Sequence, residues 1–136
     1  MEAIVSSYHQ AMRHKSADEL AALYAEDAVH EIPFKVPGFP PRFEGREAIR
    51  AAYHAMWSAS PVVIDRVETT AMHRTADEEV CVVEQTAHGH VGTAGPTAPT
   101  FSVPSLLVLR VRNGLIIQCR DYMDGLAIAK ARPSSH

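Results

Sequence analysis

The hydrophobic period of this chain changes once, after Trp57. Before that point apolar residues recur at helical spacing, and after it they fall in strand-like runs. Ile4, Val5, Tyr8 and Met12 mark an opening amphipathic helix. Ser16-Ala17-Asp18-Glu19 matches a capping box, in which the serine caps the helix and the glutamate reaches back. Leu20, Leu23 and Tyr24 carry a second helix to about Ala25, and Ala28 to Phe34 reads as a short strand. Pro33, Pro37, Pro40 and Pro41 then make a loop around Gly38, because proline offers no ladder donor to a central strand. A third helix, roughly Arg46 to Trp57, follows Gly45, with Ile49, Tyr53, Met56 and Trp57 as its stripe.

Four strand-like runs come next: Val62 to Arg74, Val80 to Val91, Phe101 to Arg112 and Leu115 to Met123. Asn113-Gly114 between the last two is a tight-turn signal, because both residues tolerate positive φ. Gly92 to Thr100 is a small-residue loop expected to be flexible, and the tail from Lys130 is polar and expected to be loose. Helices first and an antiparallel meander second predict an α+β fold. A curved antiparallel sheet packed on three N-terminal helices leaves a cone with a deep interior. The 136 residues suit one domain, residues 1–136, with a real core.

The formal net charge is -3 and no Lys/Arg-rich block is present, so no nucleic-acid or anionic-membrane partner is implied. No apolar stretch approaches ~18 residues, the length that spans a bilayer. The N-terminus has no basic region followed by a long apolar one, so a cytoplasmic protein is expected. Cys81 and Cys119 read as buried free thiols. No G-x-S-x-G, no CxxC and no Gly-rich phosphate loop occurs, so neither a nucleophile constellation nor a nucleotide cofactor is implied.

Four segments in order resemble the nuclear transport factor 2-like superfamily, which includes ketosteroid isomerases, limonene epoxide hydrolases and SnoaL-type polyketide cyclases. Tyr8 to Ala28 is similar to the opening two helices and the first strand's start. Phe43-Glu44-Gly45-Arg46-Glu47-Ala48-Ile49-Arg50 is similar to the entry into helix three. Pro37-Gly38-Phe39-Pro40-Pro41 resembles the phenazine-biosynthesis A/B branch, and Arg120-Asp121-Tyr122-Met123-Asp124 resembles an ending shared by several branches. The resemblance implies the cone fold. It also implies that Asp121 stands where the SnoaL and phenazine branches carry an acid/base carboxylate, and where the epoxide-hydrolase branch carries its last-strand aspartate. Tyr8 matches the opening-helix tyrosine of the ketosteroid-isomerase branch. That branch's general base falls here on Ile32, and its oxyanion-hole aspartate falls in Leu106-Leu107-Val108-Leu109. The Arg-x-Asp of the epoxide-hydrolase branch is replaced by Glu84-Gln85-Thr86-Ala87-His88.

By the family layout, Glu84, Thr86 and His88 face into the cone with Asp121. His30, Ile32 and Phe34 do so from the first strand, and Ser105, Leu107 and Leu109 from the penultimate one. Two carboxylates in an apolar cavity cannot both ionise cheaply, so one keeps a proton near neutrality, as general acid/base catalysis requires. Asp121 is the expected acid/base, with Glu84 or His30 as its partner. Thr86, Ser105 or His88 would orient the substrate. Tyr8, Tyr24, Tyr53, Trp57, Phe34, Leu107, Cys119 and Met123 complete the expected lining. Against these stand structural readings. Asp121 has Arg120 and Arg110 as available ion-pair partners, His30 reads as a satisfied core histidine before it reads as a catalyst, and a one-residue slip in register turns Glu84 outward. His88-x-His90 has two of the three or four ligands zinc needs, with His73 and Glu84 as candidates to complete it; no metal is expected. Asp124 is expected to cap a final short helix rather than do chemistry.

The leading expectation is a cofactor-free enzyme that cyclises or isomerises a small apolar secondary metabolite, such as a polyketide, by proton transfer. Epoxide opening is second, and a non-catalytic ligand-binding or assembly protein is third. Apolar residues assigned to the outer sheet face (Cys81, Val83, Val108, Ile116) predict a homodimer.

Overall fold

The Ser16 hydroxyl accepts from the Glu19 amide at 3.1 Å, as the capping box requires. Glu19's carboxylate does not reach back but pairs with His14 at 2.9 Å. The computed structural model describes residues 1–92 and 99–131, with side chains to residue 128. Most of the loop expected to be flexible, and most of the tail expected to be loose, lie outside the described residues.

Helices α1 (Glu2–His14) and α2 (Ala17–Ala21) are followed by strands β1 (Tyr24–Glu31) and β2 (Arg42–Glu44). Helix α3 (Arg46–Ala59) leads into β3 (Val62–Arg74), β4 (Val80–Val91), β5 (Thr100–Arg112), β6 (Leu115–Met123) and α4 (Gly125–Ala131). Asp124 caps α4 through a bond from the Ala127 amide at 3.0 Å. Helix α2 stops short of Ala25, and β1 starts four residues earlier than its sequence pattern indicates. The reason is a long-range pairing: Tyr24 lies beside Ile116, and the Ile116 amide donates to the Leu23 carbonyl at 2.8 Å. Strand β2, invisible in its short sequence, pairs antiparallel with β1.

The six strands run in the order β2-β1-β6-β5-β4-β3. Strands β3 to β6 form the expected antiparallel meander, but β1 lies parallel to β6, so the sheet is mixed. It is curved and not closed. Asn113 (φ 53°) and Gly114 (φ 78°) both take left-handed backbone at the β5–β6 turn, as Asn-Gly predicts. Leu20, Tyr24, Ile49, Val83, Leu107, Leu109 and Ile116 are buried between helices and sheet. Both cysteines are free and buried. Among the described residues no helix is long and apolar enough to cross a membrane.

Strands β3 and β5 approach β4 closely at Gly89. A Cβ built there would lie 2.1 Å from the Val63 carbonyl oxygen and 2.8 Å from Cζ of Phe101. Strand β3 carries an extra residue next to this point, between Ile64 and Arg66. A bulge bends its strand and needs a neighbour without a side chain where backbones close in. Gly89→Ala must push one strand away, and overpacking of this kind costs about 1–3 kcal/mol or more. A urea unfolding midpoint unchanged from wild type would refute this account of the close approach.

Candidate active site

Register places the inner-face residues in rows across the sheet. His30, Cys119, Leu109 and Cys81 form the deepest row. Asp121, Leu107 and Val83 form the next, and Met123, Ser105 and Gln85 the one after. Val103 with Ala87, then Phe101 with Gly89, continue outward. Helices α1 and α3 face these rows with Tyr8, Met12, Tyr53, Met56 and Trp57, and Phe39 comes from the proline loop. The cavity is about 590 Å³, within the size range of small-molecule sites. Its walls are mostly carbon. Lys15 and Asp121 are the two charged side chains among its described lining residues. Lys15 Nζ, toward the rim, donates to the Ser60 carbonyl at 2.7 Å.

Asp121 is 7% exposed, and its Oδ1 is buried with no hydrogen-bond partner among the described residues. Loss of hydration raises its pKa from 3.8 to about 7. Among the described residues no arginine pairs with it: Arg110 goes instead to Asp77 and Glu79, at 2.9 and 3.0 Å. Tyr8 and Tyr53 line the same cavity, and both feel the Asp121 charge. Burial first, and that charge after it, raise both phenols well above 10, so they remain hydroxyl donors.

His30 lies beneath this floor, fully buried and outside the cavity lining. Its Nδ1 is 2.8 Å from the Tyr24 hydroxyl and its Nε2 is 2.8 Å from the Tyr53 hydroxyl. Burial lowers its pKa from 6.5 to about 3, so it is a neutral imidazole. A neutral imidazole donates once and accepts once, so it joins the two phenols head to tail. His30 therefore reaches the cavity through Tyr53, which lines it, and through Tyr24, which is hydrogen-bonded to the cavity-lining Tyr8.

Several expected positions are corrected. Strand β4 presents Cys81, Val83, Gln85, Ala87 and Gly89 inward, one residue out of step with the expected set. Glu84 is exposed on the outer face and pairs with His73 at 2.7 Å. Thr86 and His88 are also turned outward. His88 meets Ser102 at 2.9 Å and Glu68 at 3.3 Å, and His90 meets Asp65 at 2.8 Å. Each imidazole of the His88-x-His90 pair thus has its own carboxylate, and no cluster of three metal-ligating side chains occurs among the described residues. Phe34 is 61% exposed and stacks edge-on against Tyr122 outside the cone, because the chain leaves the sheet after Glu31. Tyr24, Leu107 and Cys119 are wholly buried below the floor and do not line the cavity. Tyr8, Tyr53, Trp57, Ser105, Met123 and Asp121 do line it. Three of the four residues assigned to the outer face (Cys81, Val83 and Ile116) are buried inside.

Gln85 and His9 were not anticipated. The signal for Gln85 lay in the alternation itself. The even set on β4 holds Glu84, His88 and His90, whereas the odd set holds Gln85 as its one polar residue among Cys, Val, Ala and Gly. A strand turns its less polar set inward.

A curved mixed sheet over helices, with a cavity ending on a desolvated acid, defines a nuclear transport factor 2-like α+β cone. The chain belongs to the SnoaL-like domain family, whose model matches residues 5–119. It is 30% identical over 123 residues to uncharacterized protein YesE of Bacillus subtilis, covering 88% of this chain and 78% of that one. It is 32% identical over 104 residues to the PhzA/B-like protein PA3332 of Pseudomonas aeruginosa, covering 76% and 70%. A Bacillus subtilis crystal structure provisionally described as an isomerase superposes with a TM-score of 0.81 at 25% identity, over 95% of this chain and 89% of that one. RV0760c from Mycobacterium tuberculosis, solved with estradiol-17beta-hemisuccinate, superposes with a TM-score of 0.69 at 19% identity, over 93% and 95%.

Proposed function

We propose that this chain is an enzyme that moves protons on a small, mostly apolar organic molecule, with Asp121 as acid and base. The outcome is isomerisation or ring closure of a polyketide-like secondary metabolite. The observation that carries this reading is a carboxyl with a pKa of about 7, one oxygen unpartnered, at the floor of a carbon-lined cavity. Such a group is close to half ionised at neutral pH, where a general acid/base works best. A steroid ester in a protein of the same fold supports a fused-ring ligand of this size.

In the proposed reaction the Asp121 carboxylate takes a proton from a carbon next to a carbonyl. The C–H electrons form a C=C bond and the carbonyl electrons move to oxygen. Tyr8 and Tyr53, both on the cavity lining, would supply a hydroxyl donor to that oxyanion in a site of low polarity, where such bonds count most. Where a β,γ double bond adjoins that carbon the enolate is a dienolate, and neutral Asp121 returns the proton to its γ-carbon, which moves the double bond into conjugation and isomerises the substrate. In ring closure the enolate carbon instead bonds to a second carbonyl carbon of the same molecule, and the proton goes to the new alkoxide. The proton borrowed is the proton returned, so the cycle needs no co-reactant.

Deuterium wash-in at the α-carbons of 2-tetralone and related bicyclic ketones in heavy water, followed by NMR, tests this. Exchange faster than buffer is expected. It should rise with pH through about 7 and level off, because the ionised form is the base. Binding without exchange anywhere in the panel would leave a ligand-binding protein instead.

We also propose that the outer sheet face pairs with a second copy. The face that carries this is Val82, Leu106, Val108 and Tyr122, beside the exposed Phe34. Light scattering should return a dimer mass, and a monomer at micromolar concentration would remove the idea.

A further inference from the structure

On the sheet side, the described cavity wall has a polar pair besides Asp121, made of Gln85 and Ser105, and His9 lies behind it. Gln85 on β4 and Ser105 on β5 are directly opposed in register, and both border the cavity. Gln85 is 3% exposed. A primary amide sunk in a carbon wall costs free energy unless its polar atoms are bonded. Gln85 Oε1 lies 2.7 Å from Nε2 of His9, a residue of α1 that is itself 9% exposed. Its Nε2 donates to the Ser105 Oγ at 3.0 Å.

Each bond in this chain sets the polarity of the next. An amide oxygen accepts only, so His9 must carry its proton on Nε2. Burial lowers the pKa of His9, which favours the neutral imidazole. The amide nitrogen then points at Ser105, whose oxygen is committed as an acceptor. The serine's own proton has to go elsewhere, and Ser105 borders the cavity. A tie between helix and sheet needs only the bond from His9 to Gln85. The further step to Ser105 satisfies the Gln85 amide nitrogen and, unlike a bond to a backbone carbonyl, leaves a hydroxyl proton at the cavity surface.

Ser105 is paired with Met123, and Asp121 lies two residues back on the same face of β6. Diagonal neighbours across such a pair stand roughly 7–8 Å apart. We propose that the His9–Gln85–Ser105 relay holds the Ser105 hydroxyl as a donor to a second oxygen of the substrate. The ligand class is then an apolar bicyclic or larger ring system with two oxygens separated by about the Ser105–Asp121 spacing. The inference rests on the cavity being the substrate site. Ser105 touches the ligand, whereas His9 and Gln85 are positioning residues.

Fluorescence titration with 6-methoxy-2-naphthol and 6-ethyl-2-naphthol tests this without turnover. The two probes have the same shape, but only the methoxy compound offers an acceptor at the far ring. The wild type should bind it roughly fivefold tighter, the size of one net hydrogen bond. Ser105→Ala should bring the ratio of the two Kd values to about one, and Ser105→Thr should keep it. His9→Leu should lower the ratio, because Gln85 loses the partner that orients it. A purely structural tie would weaken both probes equally and leave the ratio alone. A wild-type ratio of one, a ratio that survives Ser105→Ala, or failure of both probes to bind would overturn the proposal. The ratio does not depend on proton transfer. Absent deuterium exchange with an intact ratio sinks the catalytic reading alone, and exchange with a ratio of one sinks the relay alone.

Discussion

Asp121→Asn is expected to abolish proton exchange and, at pH 8, to make the protein more stable. A general base typically contributes 10²–10⁴-fold, so the exchange rate should fall by about that much. The stability gain follows from linkage. Asp121 has a folded pKa of about 7 against an ordinary 3.8, so the folded state holds a proton that the unfolded chain releases between those values. Stability therefore falls as pH rises from about 4 to about 7, and the full penalty is present above 7. The uncharged amide escapes it, with an expected gain on the order of 2–4 kcal/mol at pH 8. Below pH 4 the carboxyl is neutral in both states and the gain should vanish. Urea unfolding at pH 8 and pH 4 measures both limbs. A residue that served structure alone would lose stability on substitution, so an Asp121→Asn protein that is both less stable at pH 8 and still active would refute the assignment.

His30 should show the opposite pH behaviour, and replacing it should lower stability. His30→Leu leaves the Tyr24 and Tyr53 hydroxyls without their shared partner. Each phenol loses one buried hydrogen bond but keeps others, Tyr24 with Tyr8 and Cys119 and Tyr53 with Tyr8, so a loss of about 1–3 kcal/mol is expected. His30 has a folded pKa of about 3 against an ordinary 6.5. The unfolded chain takes up a proton below 6.5 that the folded state refuses, so stability falls as pH drops from 6.5 toward 3. Between about pH 4 and 6.5 the two groups act in opposite directions, each at about 1.4 kcal/mol per pH unit, and cancel. With those two offset, the smaller contribution of buried His9 remains, so wild-type stability should fall only gently as pH drops through that window. His30→Gln, which can still bridge both phenols but does not titrate, should uncover the Asp121 slope and become more stable on acidification. Asp121→Asn should uncover the His30 slope, to which buried His9 adds with the same sign. Parallel pH profiles for the wild type and both variants would show that neither group is desolvated as described.

The acid at the centre of the site was legible because it broke a local rule. Asp121 sits on a strand between Cys119 and Met123, and a carboxylate on an apolar face marks either a wet surface or a pocket. Its neighbours were less legible. Tyr8, Tyr53 and Trp57 could be placed on helical stripes, but a stripe does not distinguish a core residue from one that lines a cavity. Phe34 was assigned inward by extending β1 beyond Glu31, where the chain leaves the sheet. Glu84 was assigned inward by the family layout, although the polarity of its strand argued otherwise.

The element order, the Ser16 cap, the Asn113-Gly114 turn and the acid on the last strand follow from the sequence by itself. All are local: spacing, capping and backbone preference act within a few residues. The parity of β4, the parallel seating of β1 on β6 and the short strand β2 were decided only in the tertiary structure. A strand's side chains repeat every two residues, so a single extra residue exchanges its two faces. Here the bulge in β3 and the close approach at Gly89 accompany the register that turns Gln85 in and Glu84 out. Burial then did what sequence could not show: by removing water from one carboxyl, it moved an ordinary aspartate to the pKa of an acid/base.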